Sequence, residues 1–200
     1  MKKLLYSLLI VNYSLFIGTL APARANPFFG ESQNQIMFNF GQGVNDSWIL
    51  PKPEQPVPFN MLQLAYSQPL TFFRMPSRQT MSFIRTIGYG KKYTYLDEDD
   101  ILQEWDWTSY GTEMVLLSFD TALLYGKDWY FGAGLSLGMQ RKFNYRFGTR
   151  IMTGVKLTAG YKLSDRWTTE MFMQHLSNGD TGGINNYAYN FYGIGIGYNF

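Results

Sequence analysis

The sequence predicts an all-β fold, an eight-stranded antiparallel transmembrane β-barrel of the outer-membrane type. Three observations predict it. The chain begins with an export signal. Aromatic residues make up 18% of it, and no later apolar run is long enough for a spanning helix. Its β-type segments alternate an apolar face with a small or polar face, and short connections alternate with long ones, as in barrels with short periplasmic turns.

Residues 1–25 are predicted to be a secretory signal peptide that is removed. Lys2 and Lys3 precede an apolar run that ends near Leu20, and Ala23-Arg24-Ala25 places small residues where a signal peptidase reads them. The alternative, a membrane anchor, is disfavoured because polar residues interrupt the run. Residues 26–200 are then expected to form a single barrel domain, since no linker divides them.

The predicted strands follow one another closely along the mature chain. They cover residues 34–44, 58–70, 80–92, 108–125, 128–140, 150–163, 166–178 and 187–200. The short connections are predicted at Arg74-Met75-Pro76-Ser77, Gly126-Lys127 and Ser164-Asp165. An even number of strands also places both chain ends on the periplasmic side.

Face alternation predicts which side chains meet the lipid. In the fifth segment every second residue from Trp129 to Met139 is apolar, while the intervening residues from Gly132 to Gln140 are small or polar. A water-soluble barrel would bury its large apolar side chains inside. Here the small set suits a narrow eight-stranded lumen. The large set is therefore predicted to face the membrane.

Charge and composition exclude several classes of function. The net charge is +2, and no basic stripe favours nucleic acid. With no cysteine, no disulfide stabilises this exported chain. No cofactor and no metal are predicted. The expected partners are outer-membrane lipids and the barrel assembly machinery, since Tyr198-Asn199-Phe200 resembles the aromatic C-terminal signal that this machinery recognises.

Two charged segments lie in predicted external loops. Asp97-Glu98-Asp99-Asp100 could bind calcium that bridges lipopolysaccharide phosphates, but an exposed acidic loop explains it as well. A basic cluster around another loop could contact anionic saccharide phosphates or could simply be solvated. It consists of Arg141, Lys142, Arg146 and Arg150.

The candidate chemistry lies near the end of the seventh predicted strand. His175 is the single histidine of the chain, and Ser177 follows two residues later, so both side chains point to the same face. Glu170 and Gln174 point to the opposite, lumenal face. An imidazole can take the proton of a serine hydroxyl as the oxygen attacks an acyl carbon. The alternative is an interfacial histidine beside a serine that begins a turn.

The C-terminal region resembles the PagL lipid A 3-O-deacylase family. The resemblance rests on His175-Leu176-Ser177-Asn178, a glycine-bearing loop, Asn186 and a glycine-alternating last strand, about the last thirty residues. It implies that Ser177 is the nucleophile, that His175 is the general base and that Asn190 orients the imidazole. Some members carry Glu at this last position, and others resemble this chain in having Asn. An amide can hold the ring but cannot neutralise an imidazolium as a carboxylate does.

The resemblance also implies the reaction, hydrolysis of an ester-linked (3-O) hydroxyacyl chain of lipid A without a cofactor. Asn178 and the backbone around Gly179 are candidates for stabilising the oxyanion, although Asn178 is equally suited to form a turn. Two alternatives stay open: a non-enzymatic barrel serving structure or adhesion, and an acyltransferase that would need an acyl donor. The acyl chain that is cut and the existence of a homodimer also stay open.

Overall fold

A computed structural model describes residues 26–29, 32, 34–44, 59–88, 93–96, 102–105, 111–141, 149–178 and 188–200. The strands are β1 (Gln35–Gly43), β2 (Phe59–Phe72), β3 (Met75–Gly88), β4 (Tyr93–Leu96), β5 (Leu102–Trp105), β6 (Thr112–Tyr125), β7 (Trp129–Gln140), β8 (Ile151–Lys162), β9 (Trp167–Ser177) and β10 (Ala188–Asn199). Eight of these strands form a closed antiparallel barrel in the order β1-β10-β9-β8-β7-β6-β3-β2, and a separate pair, β4 and β5, forms a small two-stranded sheet. The predicted eight-stranded barrel is confirmed. The predicted signal peptide lies outside the described residues.

The turn between β2 and β3 is not where the sequence predicted it. The prediction of a turn over Arg74-Met75-Pro76-Ser77 was wrong, because β3 begins at Met75. The chain reverses at Phe73 and Arg74, whose φ angles are 46° and 67°. Positive φ at both central residues matches the right-handed twist of the strands, as in two-residue hairpins. The short β4–β5 pair falls in a predicted external loop and was not predicted.

The strands are strongly tilted. A path that starts at Gly43 of β1 and steps from each residue to its partner on the next strand returns to β1 ten residues nearer the N-terminus. The last step follows from the β1–β2 register, because Pro69 lies two residues past Ser67, which is the partner of Gln35. The circuit runs through Gly43, Phe191, Gln174, Lys156, Gly134, Asp120, Arg78 and Pro69. Each step away from β9 through β8 toward β3 therefore moves the row toward the end with the short turns. Such a stagger accompanies strand tilt in closed barrels.

The lumen has two parts that differ in chemistry. Its external half, away from the short turns, is filled by apolar side chains: Phe59, Met61, Ile84, Met114, Leu116, Met152, Phe172, Leu176, Tyr189 and Phe191. Its periplasmic half holds buried charges and the short segment 26–29. The ring of Phe28 packs against Tyr130, with centroids 4.6 Å apart, and the Arg78 guanidinium lies 4.4 Å above the Phe28 ring.

Glycines on the lumenal face make room for these large side chains. A Cβ added at Gly160 would meet the Tyr130 ring at 2.1 Å, and one at Gly134 would meet the Asp120 carboxylate at 1.8 Å. Neither position can accept a larger residue while its neighbour stays in place. The alternation of glycine with large outward residues therefore reflects a filled lumen.

The outer wall carries the large apolar residues that the alternation predicted. Those exposed include Ile36, Phe38, Leu64, Phe83, Val115, Phe131, Leu135, Leu157, Met171 and Ile194. Side chains of this kind form the lipid-facing band of a transmembrane barrel. In the described part of the chain, no helix is both long and apolar enough to cross a membrane.

Candidate active site on the lipid-facing wall

Strand β9 separates two kinds of polar residue onto its two faces. Thr168, Glu170 and Gln174 are buried in the lumen, whereas His175 and Ser177 lie on the outer wall and are half-buried. Because successive side chains of a strand point to opposite faces, this division follows from the alternation alone. The outward placement predicted for His175 and Ser177 agrees with this burial pattern.

Strand β10 brings Asn190 to His175. The two residues are direct partners in the antiparallel register. The Nδ1 atom of His175 lies 2.7 Å from the Oδ1 atom of Asn190, whose residue is only 4% exposed. Since a carbonyl oxygen can only accept, Nδ1 is the atom that carries the proton in this contact. The neutral ring then has its lone pair on Nε2, the nitrogen that could take a proton from a hydroxyl.

Ser177 lies at the external end of the same wall. Its partners are Ala188 on β10 and Thr153 on β8, and the Thr153 hydroxyl donates to the Ser177 carbonyl at 3.3 Å. Two residues along a strand span about 6.6 Å between Cα atoms, so His175 and Ser177 are neighbours on one face.

Of the two oxyanion candidates, the structure describes Asn178 but not Gly179. Asn178 follows the last residue of β9 and is 2% exposed. Gly179 lies outside the described residues, as do the acidic segment 97–100 and the basic residues Lys142 and Arg146. In the ranges that the structure describes, His, Asp and Glu side chains form no group of three that could hold a metal ion.

The ion cluster of the lumen was only partly anticipated. Glu170 accepts from Arg78 at 2.5 and 3.1 Å, from Lys156 at 3.5 Å and also from the Tyr130 hydroxyl. Arg78 in turn donates to Asp120 at 2.8 Å. The lumenal position of Glu170 followed from parity. Arg78 was missed because the third strand was predicted to begin at residue 80, which left Arg78 in a connection.

Together, the closed barrel, its apolar outer wall and its polar, filled lumen define an outer-membrane β-barrel. The family model described as "Lipid A 3-O-deacylase (PagL)" matches residues 61–199. The chain therefore belongs to this family. No curated protein sequence matches the chain.

Solved structures provide the corresponding comparison of folds. The barrel is similar to the crystal structure of the outer membrane enzyme PagL, with a TM-score of 0.52 and 12% identity over 82% of this chain and 97% of that chain. Outer membrane protein H (OprH) from P. aeruginosa gives a TM-score of 0.49, with 14% identity over 84% and 100% of the two chains. Ail from Yersinia pestis gives 0.45, with 12% identity over 85% and 100%. Identities this low show the fold alone.

Proposed function

We propose that this chain is a lipid A deacylase that hydrolyses an ester-linked 3-O-hydroxyacyl chain from the membrane side of the barrel. The observation that carries the proposal is the 2.7 Å contact between His175 and Asn190 on the lipid-facing wall, two residues from Ser177. A polar pair facing lipid is unfavourable unless a function uses it. Family membership supplies the substrate class.

The proposed reaction has two stages. In the first, the Ser177 hydroxyl oxygen attacks the ester carbonyl carbon while Nε2 of His175 takes the hydroxyl proton. The tetrahedral intermediate then collapses, the bond to the sugar oxygen breaks, and the imidazolium returns the proton to that oxygen. In the second stage His175 deprotonates a water that attacks the acyl-serine carbon. The bond to the Ser177 oxygen then breaks, the imidazolium returns the proton to that oxygen, and a hydroxy fatty acid leaves.

The other site residues have supporting roles in this proposal. Asn190 holds the imidazole in the orientation and tautomer that the base needs, through the Nδ1 contact. Asn178 and the backbone around Gly179 are proposed to stabilise the oxyanion, because donors of this kind act where negative charge develops. The path uses no cofactor. Contacts with the barrel assembly machinery and self-association stay predictions.

The test compares lipid A from Gram-negative cells that express the wild type, Ser177→Ala or Thr169→Val. Thr169 lies on the same outward face of β9, nearer the periplasm, and its hydroxyl donates to Gly195 at 3.0 Å. We expect the wild type and Thr169→Val to remove one hydroxyacyl group, detected by mass spectrometry. Loss of the nucleophile should reduce the rate by roughly 10³- to 10⁶-fold.

Two results would contradict the proposal. Near wild-type deacylation by Ser177→Ala would remove Ser177 from the mechanism. Unchanged lipid A in every sample, with all three proteins correctly inserted, would favour the non-enzymatic structural or adhesion barrel. An acyltransferase would be indicated by the gain of an acyl group on lipid A that occurs only when a phospholipid donor is present, without release of free fatty acid.

A further inference from the structure

A threonine on β8 lies directly across from Ser177. Thr153 is the partner of Ser177 in the antiparallel register of β8 and β9. Its side chain is exposed on the outer wall, in the same outward row as Ile151 and Leu157. Directly opposed residues of neighbouring strands point to the same face, with Cβ atoms about 4.5–5.5 Å apart. The Thr153 hydroxyl is therefore a neighbour of the Ser177 hydroxyl.

Thr153 is a polar exception in an apolar stretch of the outer face of β8. The other outward residues between Ile151 and Ala159 are all apolar. On the next strand, β7, the residue paired with Thr153 is Leu137. Along this segment of β8, the outward hydroxyl thus lies at the position that faces Ser177.

The two sides of β9 place different groups beside the candidate active site. On the β10 side, Oδ1 of Asn190 lies 2.7 Å from Nδ1 of His175. On the β8 side, the partner of His175 is the apolar Val155, and the polar neighbour belongs to Ser177 instead. An ester carbon above Ser177 would therefore have the anchored imidazole on one side and the Thr153 hydroxyl on the other.

The hydrogen bond that Thr153 makes determines what its hydroxyl can offer to a ligand. The hydroxyl donates to the backbone carbonyl of Ser177 at 3.3 Å. A hydroxyl has a single donor hydrogen and two acceptor lone pairs. Because the hydrogen is directed at the carbonyl, Thr153 acts toward a ligand as an acceptor. The ligand group that matches it is a donor, such as an alcohol, rather than an oxyanion.

The acyl chain of the proposed substrate carries such a donor close to its ester. When the hydroxyl is on the third carbon of the chain, three single bonds of about 1.5 Å join its oxygen to the carbonyl carbon, so these two atoms lie roughly 3–4 Å apart. That reach matches the spacing of directly opposed side chains. An unsubstituted acyl chain has no donor at this point, and a chain whose hydroxyl is itself acylated has lost the hydrogen.

We propose that Thr153 accepts a hydrogen bond from the hydroxyl of the acyl chain and thereby selects hydroxyacyl esters over unsubstituted ones. This inference rests on the proposed deacylase function and adds the part of the substrate that the site recognises. Thr153 is a substrate-binding residue in this proposal. The chemical steps at Ser177 and His175 are unchanged by it.

The test measures kcat/KM of the purified full chain in mixed micelles with two lipid A substrates. They differ only in the 3-O chain, which is either 3-hydroxyacyl or unsubstituted acyl of the same length. We expect the wild type to prefer the hydroxyacyl substrate. Thr153→Val, which keeps a similar shape, should lower kcat/KM for that substrate about three- to tenfold, since one neutral hydrogen bond is lost. It should leave the unsubstituted substrate unaffected, and Thr153→Ser should retain the preference.

Thr169→Val is the matched control for Thr153→Val. The Thr169 hydroxyl also faces outward and also donates to a backbone carbonyl of a neighbouring strand, that of Gly195, at 3.0 Å. It lies nearer the periplasmic end of β9, away from Ser177. We expect Thr169→Val to hydrolyse both substrates as the wild type does. Equal losses in the two valine variants would show a general effect of removing a strand hydroxyl and would overturn the proposal.

Other results distinguish failure of this proposal from failure of the proposed function. An equal fall of kcat/KM for both substrates in Thr153→Val would indicate that Thr153 positions Ser177, and it would overturn recognition of the acyl hydroxyl. Unchanged kinetics in Thr153→Val would overturn it as well.

If the wild type hydrolyses neither substrate, the proposed function fails, and binding decides the recognition separately. Equilibrium binding of the two lipid A forms is then measured with Ser177→Ala, with and without Thr153→Val. Tighter binding of the hydroxyacyl form that Thr153→Val abolishes would support recognition of the hydroxyl. Equal binding of the two forms would overturn it.

Discussion

Strand β9 carries two polar groups that differ in where their side chains lie and in what surrounds them. In the lumen, Glu170 is completely buried and accepts from Arg78, Lys156 and Tyr130. On the outer wall, five residues further along, His175 is half-buried beside Asn190, with Ser177 next to it on the same face. The first group pairs its charges with one another. The second lies on the lipid-facing wall, where the proposed substrate would approach.

One strand can therefore carry buried groups that stabilise the fold on its lumenal face and accessible groups suited to a reaction on its outer face. A buried carboxylate requires partners, and removing one of them leaves an uncompensated charge. A nucleophile and its base must instead remain accessible to substrate. Because the side chains of a strand alternate, neighbouring residues can meet these opposite requirements. Three predictions test whether the separation is as complete as the geometry indicates.

The largest effect is expected from His175→Ala. Removing a general base should lower kcat/KM by roughly 10²- to 10⁴-fold, because Ser177 then has no group to take its proton. The free energy of unfolding should stay close to that of the wild type, since His175 lies outside the packed lumen. Release of hydroxy fatty acid from lipid A measures the activity, and Thr169→Val is the control. Wild-type activity in His175→Ala would show that the outer face of β9 does not supply the general base.

A smaller effect, on stability alone, is expected from Glu170→Gln. Arg78 and Lys156 would lose a buried anionic partner, which should lower the free energy of unfolding by about 3–5 kcal/mol. The control is Glu113→Gln, because the two arginine partners of Glu113 on the outer wall are largely exposed and such pairs contribute about 1 kcal/mol or less. Urea unfolding in lipid vesicles, followed by tryptophan fluorescence, compares the two variants. Equal losses would show that the lumenal cluster contributes no more than a surface pair.

Activity per folded molecule sharpens this second prediction. Deacylation by the fraction of Glu170→Gln that remains folded should equal that of the wild type, since Glu170 faces away from His175. A reduced rate in folded protein would instead show that the lumenal cluster influences the outer site through the strand.

The smallest effect is expected at Asn190. Asn190→Ala removes the hydrogen bond to the imidazole, which is worth about 1.5–3 kcal/mol once the ring is charged, so kcat should fall roughly 10- to 100-fold. Asn190→Asp should match or exceed the wild type, because a carboxylate also stabilises the imidazolium. The fatty-acid release assay ranks the three proteins. A slower Asn190→Asp than Asn190→Ala would contradict the orienting role.

Much of the barrel could be predicted because its signals are local. The apolar alternation from Trp129 to Met139 and the short connections gave eight strands, and seven of their starts agree with the structure to within about four residues. The β2–β3 turn was wrong, because Met75-Pro76-Ser77 has turn-forming composition while the positive φ angles fall on Phe73 and Arg74. Neither of these residues favours positive φ by itself. The pairing of long flanking strands decided the position of the turn.

The candidate site was predictable to a different degree. Parity placed His175 and Ser177 on the outer wall, since face alternation needs only the position of each residue within its strand. The contact between His175 and Asn190 also needs the register of β10 against β9, which hydrogen bonding across the barrel sets. The resemblance to the PagL family anticipated that contact, whereas spacing in the sequence could not.

The sequence by itself determined the class of fold, the division of residues between lipid and lumen, and the position of the histidine and serine on one face. These properties depend on neighbours one or two residues apart. Only the tertiary structure decided that Arg78 joins Glu170, that Phe28 fills the periplasmic half of the lumen, and that Thr153 lies opposite Ser177 on the outer wall. The reason is that closure and tilt of the barrel bring together side chains that lie far apart along the chain.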